Sequence, residues 1–187
     1  MPRALIYEPE ARMTREEYRA WAERQPSHRF ERIEGIVVAM APRAAHSRRK
    51  ASAWNALRVA VQRVALPCEV FPDGMTIEVG DSDYEPDAVL RCGGPRLPGD
   101  AIAVPDPLVI VEVLSLSTSG VDRGLKLRDY FRLPSVQHYL IVWPEAPRIV
   151  HHSRTPDGSV ATELLTSGQI VLNPPGLTLE FSEFYAD

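Results

Sequence analysis

Lysine is scarce in this sequence: only Lys50 and Lys126 occur among its 21 basic residues, and all the others are arginines. Cysteine is equally scarce, and Cys68 and Cys92 lack the spacing of a metal site. No apolar run approaches the ~20 residues that span a bilayer, so a membrane role has no support. The N-terminal residues also lack the apolar core of a signal peptide. We therefore expect a cytoplasmic protein that makes no membrane contact.

Positive charge is not in excess either. The formal net charge is −4, which gives no global basic field. Any binding of nucleic acid must then depend on a local cluster, and the densest one is Arg48, Arg49 and Lys50, with His46 just before it. We expect these four residues to contact nucleic acid. The alternatives are that His46 caps a helix and that the basic residues form a solvated surface.

One stretch, residues 107–114, predicts a central strand that is covered on both faces, because it is a nearly continuous run of β-branched and apolar residues. Glu112 lies near its end and is therefore expected to be buried. A buried ionised carboxylate costs several kcal/mol unless a cation, a metal or hydrogen-bond donors compensate it. The sequence must supply such a partner elsewhere.

Two partners for Glu112 are available. Asp87, in Tyr84-Glu85-Pro86-Asp87, enters a second apolar strand and could share a divalent cation with Glu112. Lys126 follows the central strand in a segment with helical spacing. Two carboxylates suit Mg²⁺, which prefers oxygen ligands and retains several waters. A nearby ammonium could then orient or help to deprotonate an attacking water, which is the chemistry of metal-assisted phosphodiester hydrolysis.

The remaining pattern predicts one α/β domain over residues 1–187, since 187 residues are enough for one core and short for two. Thr14 and Glu17 have the spacing of a capping box and predict a helix to about Arg24. A hairpin is expected within residues 29–40 and a long helix over residues 45–65. Strands are predicted at residues 69–71, 75–79, 85–91, 137–143, 148–152, 161–165 and 177–181. A helix over residues 121–132 connects two of the predicted strands as a β-α-β unit, whose strands should be parallel.

The ordered motifs resemble the PD-(D/E)xK restriction-endonuclease-like superfamily, and within it a family abundant in cyanobacteria and other bacteria. The resemblance covers most of the chain and rests on residues 30–37, 40–42 and 46, on Glu85-Pro86-Asp87, on residues 111–115 with 117 and 118, on 122, 126 and 130, and on 139–142. It implies a mixed β-sheet core flanked by helices, with an N-terminal helix and hairpin. It also implies that Asp87 and Glu112 are metal ligands, Glu31 is a supporting acid and Lys126 is the catalytic lysine.

One departure from the superfamily concerns the lysine. The usual pattern places it two residues beyond the second acid, where this chain has Leu114. The resemblance implies that the lysine has moved to the following helix, at Lys126. Each site residue also has a structural alternative: Asp87 as a turn cap, Glu112 in a salt bridge with an arginine, Glu31 paired with Arg29, and Lys126 in an exposed ion pair with Asp122.

These expectations together predict a metal-dependent DNA endonuclease that uses Mg²⁺, with Mn²⁺ as a substitute. Cleavage of both strands of a duplex generally requires two active sites, so we expect a homodimer or a higher homo-oligomer. The alternative is a catalytically inactive module that keeps the nuclease fold and binds nucleic acid or protein. A hydrolase of smaller phosphodiesters is a third option.

Overall fold

Three α-helices occur in the part of the chain that the computed structural model describes, residues 12–25, 29–40, 44–114 and 120–186. They are α1 (Arg15–Ala22), α2 (Ala44–Val64) and α3 (Gly120–Tyr130). The predicted capping box is present at α1: the Thr14 hydroxyl accepts from the Glu17 amide, and the Glu17 carboxylate accepts from the Thr14 amide. A 3-10 helix at Phe181–Phe184 was not predicted.

The strands occupy most of the positions that the sequence predicts. They are β1 (Arg29–Ile33), β2 (Ile36–Met40), β3 (Cys68–Pro72), β4 (Ile77–Val79), β5 (Ser82–Tyr84), β6 (Ala88–Cys92), β7 (Val109–Val113), β8 (His138–Val142), β9 (Ile149–Arg154), β10 (Val160–Leu165), β11 (Gln169–Leu172) and β12 (Leu177–Glu180). β5 and β11 were missed. The predicted strand at residues 85–91 begins only at Ala88, because Pro86 has no N–H group to donate to the hydrogen bonds between strands. Asp87 therefore lies immediately before β6.

A six-stranded mixed sheet in the order β10-β9-β8-β7-β6-β3 forms the centre of the fold. β7 and β8 are parallel, as predicted for strands joined through α3, and the other pairs in this sheet are antiparallel. A four-stranded sheet, β2-β1-β5-β4, contains the predicted hairpin. β11 and β12 form a third, two-stranded sheet.

The two faces of β7 belong to different hydrophobic clusters. Val109, Val111 and Val113 pack with the apolar face of α2 and with β12. Ile110 faces the other way, into a cluster that contains Tyr84, Tyr130 and other residues of β4, β8 and α3. Because side chains alternate along a strand, Glu112 lies on the same face as Ile110. The central strand is therefore buried on both sides, as the sequence predicts.

The two cysteines form a disulfide, which the sequence analysis did not propose. Cys68 and Cys92 are register partners on β3 and β6. No helix in the described ranges is both long and apolar enough to cross a membrane.

A buried histidine pair joins β8 to β9. His138 Nε2 lies 2.9 Å from the carbonyl oxygen of Pro174, which can only accept, so this nitrogen is the donor. His138 Nδ1 must then accept from His151 Nε2, at 2.9 Å. Burial, with a contribution from His138, lowers the pKa of His151 from 6.5 to about 4. The neutral pair therefore contributes stability above pH 6.5 that is lost as the pH falls through about 4.

His151→Gln should make the thermal midpoint less sensitive to pH between 6.5 and 4 than it is in the wild-type protein. The glutamine amide can still donate to His138 but does not titrate. Thermal melts of both proteins across this range provide the measurement. Equal acid-induced losses in the two proteins would show that this pair does not control acid sensitivity.

Candidate active site

Asp87 and Glu112 lie at the same end of two neighbouring strands. Ala88 on β6 is the register partner of Val111 on β7. Because the strands are antiparallel, Asp87, just before Ala88, and Glu112, just after Val111, lie at the same end. The Asp87 amide donates to the Val111 carbonyl at 3.0 Å. One carboxylate oxygen of Asp87, Oδ2, accepts from the Val113 amide at 2.6 Å. β7 thus fixes the orientation of the Asp87 side chain.

Lys126 reaches this end of the sheet from α3. Its ammonium donates to Glu112 Oε1 at 3.0 Å and to Glu31 Oε1 at 2.9 Å. Glu31 comes from β1 and also accepts from the Glu85 amide at 3.1 Å. All three side chains are buried. The ammonium therefore connects the hairpin, the central strand and α3.

Tyrosines complete the surroundings of Lys126. The Tyr130 hydroxyl, one turn further along α3, donates to Glu112 Oε1 at 2.7 Å. The Lys126 ammonium lies 5.5 Å from the centre of the Tyr84 ring, a favourable position over a π face. Tyr84 in turn donates to Asp129 at 2.7 Å. These contacts hold the lysine and the acid in one arrangement.

A second lysine contacts Asp87. Lys50, on α2, places its ammonium 2.5 Å from Asp87 Oδ1 and 3.3 Å from Asp73 Oδ2. His46, one turn earlier on the same helix, donates from Nε2 to the Val113 carbonyl at 2.7 Å, and this nitrogen lies 3.6 Å from Asp87 Oδ2. The start of α2 therefore forms one wall of the site.

The electrostatics of the two acids follow from their burial. Burial raises the pKa of Glu112, Lys126 opposes the rise, and the charge of Asp87 adds to it. Burial likewise raises the pKa of Asp87, and Lys50 opposes the rise. Burial alone would lower the pKa of Lys50, but Asp87 and Asp73 outweigh it, so this pKa is raised. Since the charge of Asp87 raises the pKa of Glu112, a further cation close to both carboxylates would be stabilised.

The donor atoms at this place fit a hard divalent cation. Within the described residues no three His, Cys, Asp or Glu side chains converge as a metal site. The side chains of Asp87 and Glu112 would then supply two carboxylate ligands, and backbone oxygen atoms or water would fill the other coordination positions of the cation. Mg²⁺ accepts this arrangement because it retains several waters, whereas zinc sites usually take three or four protein ligands.

The structure also shows where the alternatives fail. Glu112 pairs with a lysine instead of an arginine. Arg29 pairs with Asp73 and Glu85, and not with Glu31 as the alternative for Glu31 had it. Lys126 is 3% exposed, so it is not a surface residue. The Asp122 side chain and the motif residues 41, 42, 115, 117 and 118 lie outside what the structure describes.

The four predicted nucleic-acid contacts do not share one surface. Arg48 is exposed, whereas His46 is buried against Val113. Arg49 donates to the Phe184 carbonyl at 2.9 Å and stacks over Tyr185. Lys50 points at Asp87. A nucleic-acid role for these residues stays a prediction.

Sequence reasoning missed the contacts of Lys50 with Asp87 and with Asp73. Asp73 carried no signal beyond a turn pattern. Lys50 did carry one: in a chain that otherwise uses arginine, each lysine lies against a carboxylate of the same cluster. That scarcity singled out Lys126 in the sequence and could equally have singled out Lys50.

Residues 15–185 match the family Uma2, described as "Putative restriction endonuclease". The chain belongs to the Uma2 family. Among its relatives, the uncharacterized protein slr1290 of Synechocystis sp. (strain ATCC 27184 / PCC 6803 / Kazusa) is 29% identical, over 95% of this chain and 93% of its own length. The uncharacterized protein sll1609 of the same organism is 27% identical, over 76% of this chain and 82% of its own length.

A solved structure has the same fold. It is described as a "putative nuclease belonging to DUF820" from Anabaena variabilis ATCC 29413, with a TM-score of 0.73 at 17% identity, covering 92% of this chain and 97% of that chain. At this identity the likeness concerns the fold. Together with the Uma2 match it confirms the restriction-endonuclease-like α/β fold that the motifs predicted.

Lys126→Met should destabilise the protein by roughly 3–5 kcal/mol, the usual effect of removing one partner of a buried ion pair. The change leaves Glu31 and Glu112 buried beside each other without their shared cation. Urea unfolding at neutral pH measures the loss, and adding Glu31→Gln and Glu112→Gln to the variant should recover part of it. Arg58→Met on α2 is the control, because Arg58 bonds the uncharged side chains of Asn55 and Gln62 and, among the described residues, no buried acid. A loss below about 1 kcal/mol, typical of surface pairs, would contradict the burial of Lys126.

Proposed function

We propose that this Uma2 protein is a metal-dependent endonuclease that hydrolyses phosphodiester bonds in DNA. The observation that carries the proposal is the pair of buried acids, Asp87 and Glu112, at the same end of adjacent strands with a lysine ammonium 3.0 Å from Glu112. Family membership and the nuclease-like fold support a nuclease. The DNA substrate and the metal requirement are parts of the proposal.

Asp87 and Glu112 would hold Mg²⁺, with Mn²⁺ as a substitute. When bound, the ion supplies Lewis-acid stabilisation of charge on a phosphoryl oxygen and a lowered pKa for water. The roles of the chain's own residues follow from their contacts. Glu31 and Tyr130 fix the positions of Lys126 and Glu112, and Lys126 holds a positive charge beside the acids, where it can orient an attacking water.

The setting of the reaction is also part of the proposal. We place the protein in the cytoplasm, where a DNA substrate is found, although disulfides such as Cys68–Cys92 are more frequent in oxidising compartments. We expect a homodimer or a higher homo-oligomer, because two active sites can cut the two strands of a duplex. No membrane contact is proposed.

Glu112→Gln should reduce cleavage of supercoiled DNA in Mg²⁺ or Mn²⁺ by at least about 10²-fold, as expected for the loss of a group that the transition state needs. Lys126→Arg keeps the charge but should also reduce cleavage, because a planar guanidinium cannot reproduce the geometry of an ammonium or usefully release a proton. Glu163→Gln, an exposed position on β10, is the matched control.

Cleavage that persists in EDTA, or at the wild-type rate in Glu112→Gln, would overturn the proposed mechanism. DNA binding by the wild-type protein with no metal-dependent cleavage would favour the non-catalytic binding module instead. A product from short phosphodiester substrates but none from DNA would favour the smaller-substrate hydrolase.

Arg48→Ala should weaken DNA binding about equally for different sequences and should reduce the slope of log K against log salt by about 1, as expected for the loss of one phosphate contact. Arg49→Ala should have a smaller effect, since Arg49 is engaged with Phe184 and Tyr185. Fluorescence anisotropy at several salt concentrations measures both variants. An unchanged slope for Arg48→Ala would show that the start of α2 is not a DNA contact surface.

A further inference from the structure

Lys50 contacts one of the two carboxylate oxygens of Asp87. The carboxylate oxygen Oδ2 is engaged by the backbone, since it accepts from the Val113 amide at 2.6 Å. The other oxygen, Oδ1, lies 2.5 Å from the Lys50 ammonium. The oxygen that the strand leaves available for a cation is therefore the oxygen that Lys50 contacts.

Lys50 also has a second carboxylate within reach. Its ammonium is 3.3 Å from Asp73 Oδ2. Asp73 follows β3 and is anchored independently, because Arg29 Nη1 donates to it at 2.6 Å. Arg29 is itself held by Glu85 at 2.8 Å. Asp73 thus offers a fixed second position for the ammonium, at the outer side of the site.

We propose that Lys50 is an internal counter-ion that neutralises Asp87 in the metal-free protein and transfers its ammonium to Asp73 when a divalent cation binds. This rests on the proposed function, since it concerns the same metal site. Lys50 is then a positioning residue that sets the affinity of the site for metal. Its positive charge compensates the buried negative charge of Asp87 when no metal is bound.

The choice of lysine fits this role. A lysine ammonium is a compact charge on a flexible four-carbon stem, so a small rotation can move it from one carboxylate to the other. An arginine would bind a carboxylate through a rigid two-pronged contact and would resist the exchange. Apart from Lys126, the other basic residues of the chain are arginines. At position 50 the chain therefore has a cation that can move between carboxylates, where an arginine would stay fixed.

The test measures Mn²⁺ binding by titration calorimetry in the absence of nucleic acid. Lys50→Met should raise the affinity for Mn²⁺ about tenfold, because it removes a positive charge that competes for Asp87. It should also lower the stability of the metal-free protein, since Asp87 loses its compensation. Arg58→Met removes the same charge from the same helix, at a side chain that bonds Asn55 and Gln62, and should leave Mn²⁺ affinity unchanged.

Asp73→Asn tests the other half of the exchange and does not remove the ammonium from Asp87. Without Asp73 as a partner, Lys50 should stay on Asp87, and Mn²⁺ affinity should fall. If the effect passes through Lys50, Asp73→Asn should have little effect in a Lys50→Met background. This double-mutant cycle separates the exchange from a general loss of negative charge. It also keeps the proposal testable by Asp73→Asn if Lys50→Met folds poorly.

The outcomes distinguish this proposal from the function on which it rests. If the wild-type protein binds Mn²⁺ and Lys50→Met binds it equally, the counter-ion exchange is overturned and the metal site stands. If Asp73→Asn lowers affinity by the same factor with and without Lys50, the transfer to Asp73 is overturned. If neither the wild-type protein nor Lys50→Met binds Mn²⁺, the metal-dependent function and this proposal both fail.

Discussion

The buried ammonium of Lys126 is the contact on which the arrangement of the site depends. It lies on α3 and bonds to Glu31 on β1 and Glu112 on β7. Two buried carboxylates would be unfavourable without it, and a buried ammonium would be unfavourable without them. The three charges compensate one another only when the hairpin, the central strand and α3 are packed together. Formation of the fold and formation of the site are therefore a single requirement.

Lysine and arginine are used differently in the ion pairs of this structure. Arginines make many of the structural ion pairs, such as Arg32 with the buried Asp83 and Arg91 with Glu69. Both lysines lie against the acids of the site. Guanidinium groups suit permanent, two-pronged pairs, whereas an ammonium can rotate, exchange partners and shift its pKa. The scarcity of lysine in the sequence is thus informative about structure, because both lysines pair with buried acids of one cluster.

The sequence predicted those parts of the fold that depend on local pattern. The capping box at Thr14, the apolar run of β7 and the helical spacing after it each depend on neighbouring residues, and each prediction was correct. β5 is too short, at three residues, to show a period. Lys50 was predicted to contact nucleic acid or to lie on a solvated surface, and its contact with Asp87 was missed because Asp87 is distant in sequence. Contacts of this kind depend on how α2 packs against the end of the sheet, which no local pattern contains.

The charge of the assembled cluster bears on what it can accept. Written as ions, Glu31, Asp87 and Glu112 carry three negative charges, and Lys126 compensates one of them. Lys50 is shared between Asp87 and the less buried Asp73. If Lys50 pairs with Asp73 alone, the other four side chains have two uncompensated negative charges, which one divalent cation would balance. Burial makes net charge costly, so the move of Lys50 to Asp73 and the binding of the cation would favour each other. This coupling would link metal occupancy to the position of Lys50, and it follows from the number of charges and does not depend on the detailed shape of the pocket.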